Sequence, residues 1–120
     1  MPLSKDQILE SSDLTSVEVD VPEWGGSVLV RTMTGADRDA FESSMVTTNA
    51  DGSRTPDMKN LRAKLVALTL VDGSNNRLFD SSDIPRLAAK SSAALERVFD
   101  VAQRINGLGM KAEEAAVKNS

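Results

Sequence analysis

The sequence contains no cysteine, no histidine and no tyrosine. Without cysteine there can be no disulfide, no thiolate nucleophile and no sulfur-ligated metal. Without histidine the usual general base and the commonest transition-metal ligand are missing. An enzyme built from this chain would work with carboxylates, lysines and hydroxyls alone. No apolar run approaches the roughly 20 residues that cross a bilayer, and no basic start leads into an apolar stretch. The expectation is a protein that acts where it is made, without a membrane partner. An excess of positive charge is missing too. The net charge is −4 with both signs interspersed, which excludes the basic stripe of a nucleic-acid binder.

What is present fits one soluble domain. The chain has 120 residues, 40% of them apolar and 27% charged, enough to bury a core. Ser4 and Gln7 form a capping-box pattern ahead of Ile8 and Leu9, predicting one or two helical turns. Val17, Val19 and Val21 alternate with Glu18 and Asp20, the period-two signature of a strand with one buried face. Pro22 ends that run. A second alternating run passes through Val28 and Val30 to about Met33, so the two strands read as an antiparallel hairpin joined by PEWGG. Such a hairpin is marginal alone, so its valines must pack on helices or pair with strands of another copy.

Thr34 caps a helix expected over 35–46, with Ala36, Ala40, Phe41 and Met45 as its apolar stripe and Asp37, Arg38, Asp39 and Glu42 solvated. TTNADGSRTP, residues 47–56, reads as a loop. From Asp57 the spacing of Met58, Leu61, Leu65 and Leu68, widened by Val66 and Val71, predicts a helix that ends in the DGSNN turn. A short extended Arg77-Leu78-Phe79 follows, and then a short helix capped by Asp80 or Ser82. Residues 91–107 show Leu95, Val98, Phe99, Ala102 and Ile105 on one face, with Asp100 and Arg104 as an i,i+4 pair. Gly107 stops this helix, and Leu108 can fold back on its last turn. The fold class is α+β: one mostly helical domain over 1–109 with an N-terminal hairpin packed on about three helices. Residues 110–120 are expected to be a flexible or weakly helical tail.

None of the usual chemical motifs converges. The glycine pairs lack phosphate-loop spacing, and Asp37 and Asp39 project about 200° apart on a helix. Asp72 to Asn76 lacks the glutamate of a calcium loop. Lys90 beside Ser91 sits where capping is the simpler role. No catalytic residue, metal ligand or cofactor is assigned. Surfaces remain, and Trp24, the only tryptophan, has two readings. It is an interface anchor on a turn or a lid folded over the hairpin and one helix. Phe41, Phe79 and Phe99 fit core positions, as do Met45 and Met58.

Taken together, the leading short helix, VEVDVPEWGGSVLVRTMTGADRDAFE, NLRAKLVALTLVDGSNNRLF and SSAALERVFDVAQRING resemble the tail assembly chaperones of long-tailed, siphovirus-type bacteriophages over roughly residues 3–109. The resemblance implies a non-enzymatic chaperone that binds the tape measure protein, keeps it soluble and helps tube subunits assemble around it. It also implies residence in the host bacterial cytoplasm and absence from the finished virion. Further partners would be the major tail tube protein and a long form of the same chain made by ribosomal frameshifting, of which this would be the short form. Self-association into a homo-oligomer is expected. Trp24, Arg31, Met33, Arg38, Phe41 and Met58 are the residues assigned to partner contact. The competing reading is a small structural tail or head–tail connector protein retained in the particle.

Overall fold

A computed structural model describes residues 1–108; the expected tail, 110–120, lies outside the described residues. Helix α1 (Lys5–Glu10) opens with both halves of the capping box. The Gln7 N–H donates to Ser4 Oγ, and the Ser4 N–H donates to Gln7 Oε1. Strands β1 (Ser16–Val21) and β2 (Gly26–Arg31) pair antiparallel with Val17 opposite Val30 and Val19 opposite Val28. Burial is graded along β1, from an exposed Val17 to a fully buried Val21. β1 is an edge strand, and its covered end is the one nearest the turn that the last helix touches. Edge-to-edge pairing of two copies would crowd Glu18 and Asp20 of one against those of the other.

Strand β2 is not at an edge, and here the sequence reading is corrected. Helix α3 (Leu61–Thr69) stops two residues before Val71, and Leu70–Val71 forms a short strand, β5, on the far side of β2. Leucine–valine runs suit a buried helix or a buried strand equally. Pairing with β2 decides for strand, because it satisfies backbone groups that would otherwise be buried without partners. The hydroxyl of the fully buried Thr69 donates to the Leu65 carbonyl at 2.8 Å, closing the last helical turn.

Helix α2 (Gly35–Ser44) is capped by Thr34 as expected, but of its foreseen stripe only Phe41 is buried; Ala36 and Ala40 are exposed. The segment expected as a loop instead contains a second hairpin, β3 (Val46–Thr48) with β4 (Arg54–Pro56). All six strand residues are exposed, so no apolar alternation could announce it. Its turn is built from polar groups: Asp51 accepts from the Ser53 N–H and hydroxyl, Asn49 donates to Ser53 and Thr55, and Gly52 takes φ 85°.

Helix α3 begins at Leu61 rather than Asp57. Asp57 accepts the Lys59 N–H and Asn60 adopts φ 55°, so a separate turn ejects Met58 from the helical stripe. Past the DGSNN turn, a 3₁₀ turn over Ser81–Asp83 leads into α4 (Ile84–Ala88), with Asp80 as its cap. Helix α5 (Ser92–Asn106) buries Leu95, Val98, Phe99 and Ala102. It ends in a left-handed Gly107, with Leu108 N–H donating to the Gln103 carbonyl and Leu108 itself buried. The core lies where α3 packs on α5, α4 and α2, and the sheet covers its open side.

Candidate partner-binding surface

Trp24 sits where the first hairpin turns. Val21 leads into one 3₁₀ turn, Pro22–Trp24, in which proline pre-sets the backbone; Gly25 then reverses the chain at φ 76°. The neighbouring Glu23 anchors this turn to α5, accepting from Arg97 Nε through both carboxylate oxygens at 3.0 and 3.1 Å. The indole is half-buried against the core and forms one wall of a concave site of about 900 Å³ with Phe79 and Leu87, rimmed by Arg86 and Lys90. It is thus lid on one side and open surface on the other.

A second groove, of about 370 Å³, runs between α2, the start of α3 and the end of α5. Phe41 and Leu65 floor it, Met45 and Met58 flank it, and Arg38 and Glu42 mark its rim. Arg38 is held rather than free: Nε donates to Glu42 Oε1 at 3.0 Å and Nη1 to the Asn106 carbonyl at 3.1 Å. Met58 is 53% exposed, which corrects its expected core position. Along the same edge, Arg62 pairs with Glu96 and lies 5.6 Å from the centre of the Phe99 ring.

Of the six residues assigned to partner contact, Arg38, Phe41 and Met58 therefore meet in one groove and Trp24 lines another. Phe41 is 5% exposed and Arg31 8%, which leaves little of either for a partner to cover. Arg31 Nη1 donates to the Asn75 carbonyl at 3.0 Å, and Nη2 lies 3.7 Å from Asp37, which also approaches Arg77 at 3.5 Å. Asp37, expected to be solvated, is instead the anion between two arginines. Met33 is half-buried, and its N–H donates to Asn106 Oδ1 at 2.7 Å. Asn106 was legible only as part of a helix stop. Its side chain also ties the link between β2 and α2 to the end of α5, and no local signal reveals a partner that far along the chain.

A family model described as phage tail assembly chaperone matches residues 7–118. The chain belongs to that family. A solved structure, that of the bacteriophage HK97 tail assembly chaperone, is similar in fold with a TM-score of 0.59. The identity is 14%, over 87% of this chain and 94% of that one. A search of curated proteins finds no match. The role is accordingly that of a tail assembly chaperone, and family membership implies binding rather than catalysis. No described helix is long and apolar enough to cross a membrane.

In this tail assembly chaperone the Glu23 carboxyl is held below the usual carboxylate range. A hydrogen bond from its own backbone N–H is the largest cause; partial desolvation opposes it, and Arg97 adds to the lowering. A carboxyl whose folded pKa lies below its unfolded value contributes stability above the unfolded value, about 4.3, and loses it as pH falls through the folded pKa. Glu23→Gln is therefore expected to melt below the unsubstituted chain at pH 7. The gap should close as the buffer is taken below about pH 4. Thermal melts at several pH values check this, and a gap independent of pH would contradict it.

Proposed function

We propose that this chaperone binds the tape measure protein of its phage in the host bacterial cytoplasm, keeps it soluble and promotes assembly of the tail tube around it. The observation that carries the reading is the pair of apolar concavities at Trp24 and at Met58, each with a charged rim. Such grooves suit the apolar stripe of an amphipathic helix, and methionine adapts to varied partners. Trp24 and Met58 supply the exposed apolar surface, and Arg38 marks one rim. Several copies bound along one long partner would gain from many weak contacts. Self-association, contact with the major tail tube protein and with a frameshifted long form, and departure before the virion is complete belong to the same proposal.

Co-expression with the tape measure protein tests it. More of the tape measure should be recovered soluble, and in complex with the chain, than when it is made alone; unchanged solubility would overturn the proposal. In the same pull-down, Trp24→Ala should weaken capture by about tenfold. A lower melting temperature with undiminished capture would assign the indole to the core alone.

A further inference from the structure

Strand β1 carries an unpaired edge whose free backbone groups can be assigned one by one. The Thr32 N–H donates to the Thr15 carbonyl at 2.8 Å, and the register runs on from there, with Ser16 opposite Arg31 and Val17 opposite Val30. Hydrogen-bonded and non-bonded pairs alternate along an antiparallel ladder. Val17, Val19 and Val21 therefore turn their N–H and C=O groups toward β2, and Ser16, Glu18 and Asp20 turn theirs outward. Among the described residues nothing takes these groups up, since β1 ends the sheet order. The strand pairs with β2 one for one and contains no bulge, proline or lysine, devices that commonly blunt an edge.

The side chains select what this edge accepts. Glu18 and Asp20 share the outer face and are exposed. Glu18 accepts the Ser27 hydroxyl, and neither carboxylate forms an ion pair among the described residues. On the inner face Val17 is 38% exposed and Val19 half-buried. The edge is thus acidic on one face and apolar on the other.

We propose that β1 takes up an extended segment of a partner protein as an added antiparallel strand, with lysine or arginine opposite Glu18 and Asp20 and an apolar residue between them beside Val19. The two carboxylates repel the same edge of a second copy and favour a basic partner. No β1 residue lines the grooves at Trp24 and Met58. One chain therefore holds a helical partner and an extended one at the same time, and the edge acts whether or not the grooves bind tape measure protein.

The test uses the full chain and a blocked peptide of about six residues that alternates lysine with valine. Titrations followed by amide NMR, which read weak affinities, should show it binding at least about tenfold tighter than the matching glutamate–valine peptide. The Glu18→Lys/Asp20→Lys chain should reverse that preference. Both positions are exposed, and a thermal melt checks that the variant folds; if it does not, Asp20→Lys alone should narrow the preference. N-methylation of the lysine amides should abolish binding, because those N–H groups face β1, whereas N-methylation of the valine amides should spare it. Exchange of the Ser16, Glu18 and Asp20 amides should slow only when the peptide is bound. No binding, a preference that survives the charge swap, or equal tolerance of both methylations would overturn the proposal. So would protection of these three amides before peptide is added, since the edge is then occupied by a second copy or by this chain's own residues beyond 108.

Discussion

Leu65→Ala is expected to lower the melting temperature by roughly 10 °C or more. Leu65 and Leu70 are the largest fully buried side chains among the described residues, and Leu65 projects from α3, the helix that contacts α2, α4 and α5. Truncation removes its transfer free energy and leaves a cavity, together about 2–5 kcal/mol. In a domain of this size each kcal/mol moves the midpoint by about 4–8 °C. Leu65→Met, which nearly conserves volume, should cost less than about 1.5 kcal/mol. Urea titrations of both variants separate cavity from chemistry: the midpoint should fall far more for alanine, with the slope unchanged. Equal losses would mean that packing around Leu65 relaxes freely and that α3 is not the rigid centre of the fold.

Asp37→Ala is expected to cost about 3 kcal/mol, more than Arg31→Met. The Arg31 and Asp37 side chains are only 10% and 19% exposed, so removing the carboxylate strands a buried guanidinium. Breaking one partner of such a pair costs about 3–5 kcal/mol, whereas replacing a buried ion with an apolar side chain of similar length is often close to neutral. Arg31 Nε is already buried without a hydrogen-bond partner, which makes the arginine itself a costly occupant. Asp37 also lies in the first turn of α2 and accepts from Arg77, so its loss removes a favourable helix-dipole contact of about 0.3–1 kcal/mol. Paired denaturation curves for the two variants check the order. An Arg31→Met cost equal to or above that of Asp37→Ala would show that the ion pair, and not the burial of an unpaired charge, dominates this corner.

How much of this was legible beforehand depended on how local each signal is. The capping box at Ser4 and Gln7, the Thr34 cap, the valine alternation and the Gly107–Leu108 helix stop are written within a few residues, and each took the expected form. The second hairpin escaped because its strands carry no buried face, and its polar turn looks the same as a loop. Met58 was assigned to a helical stripe by spacing, yet the Asp57–Asn60 turn broke the period before it reached the helix. The six partner-contact residues were chosen by type, which says nothing about which of them end up inside.

The sequence by itself determined the α+β class, the caps and stops of the main helices, the first hairpin and the family, because these rest on periodicity, turn chemistry and block order along the chain. The tertiary structure alone decided that Leu70–Val71 leave their helix to pair with β2, that Arg31 and Asp37 meet in the interior, and that Trp24 stands half over the core and half over a groove. The first and the last join residues far apart in the chain, and the second gathers the distant Asn75 and Arg77 around Arg31 and Asp37. Their energies come from burial and from matching distant polar groups, which local spacing does not encode.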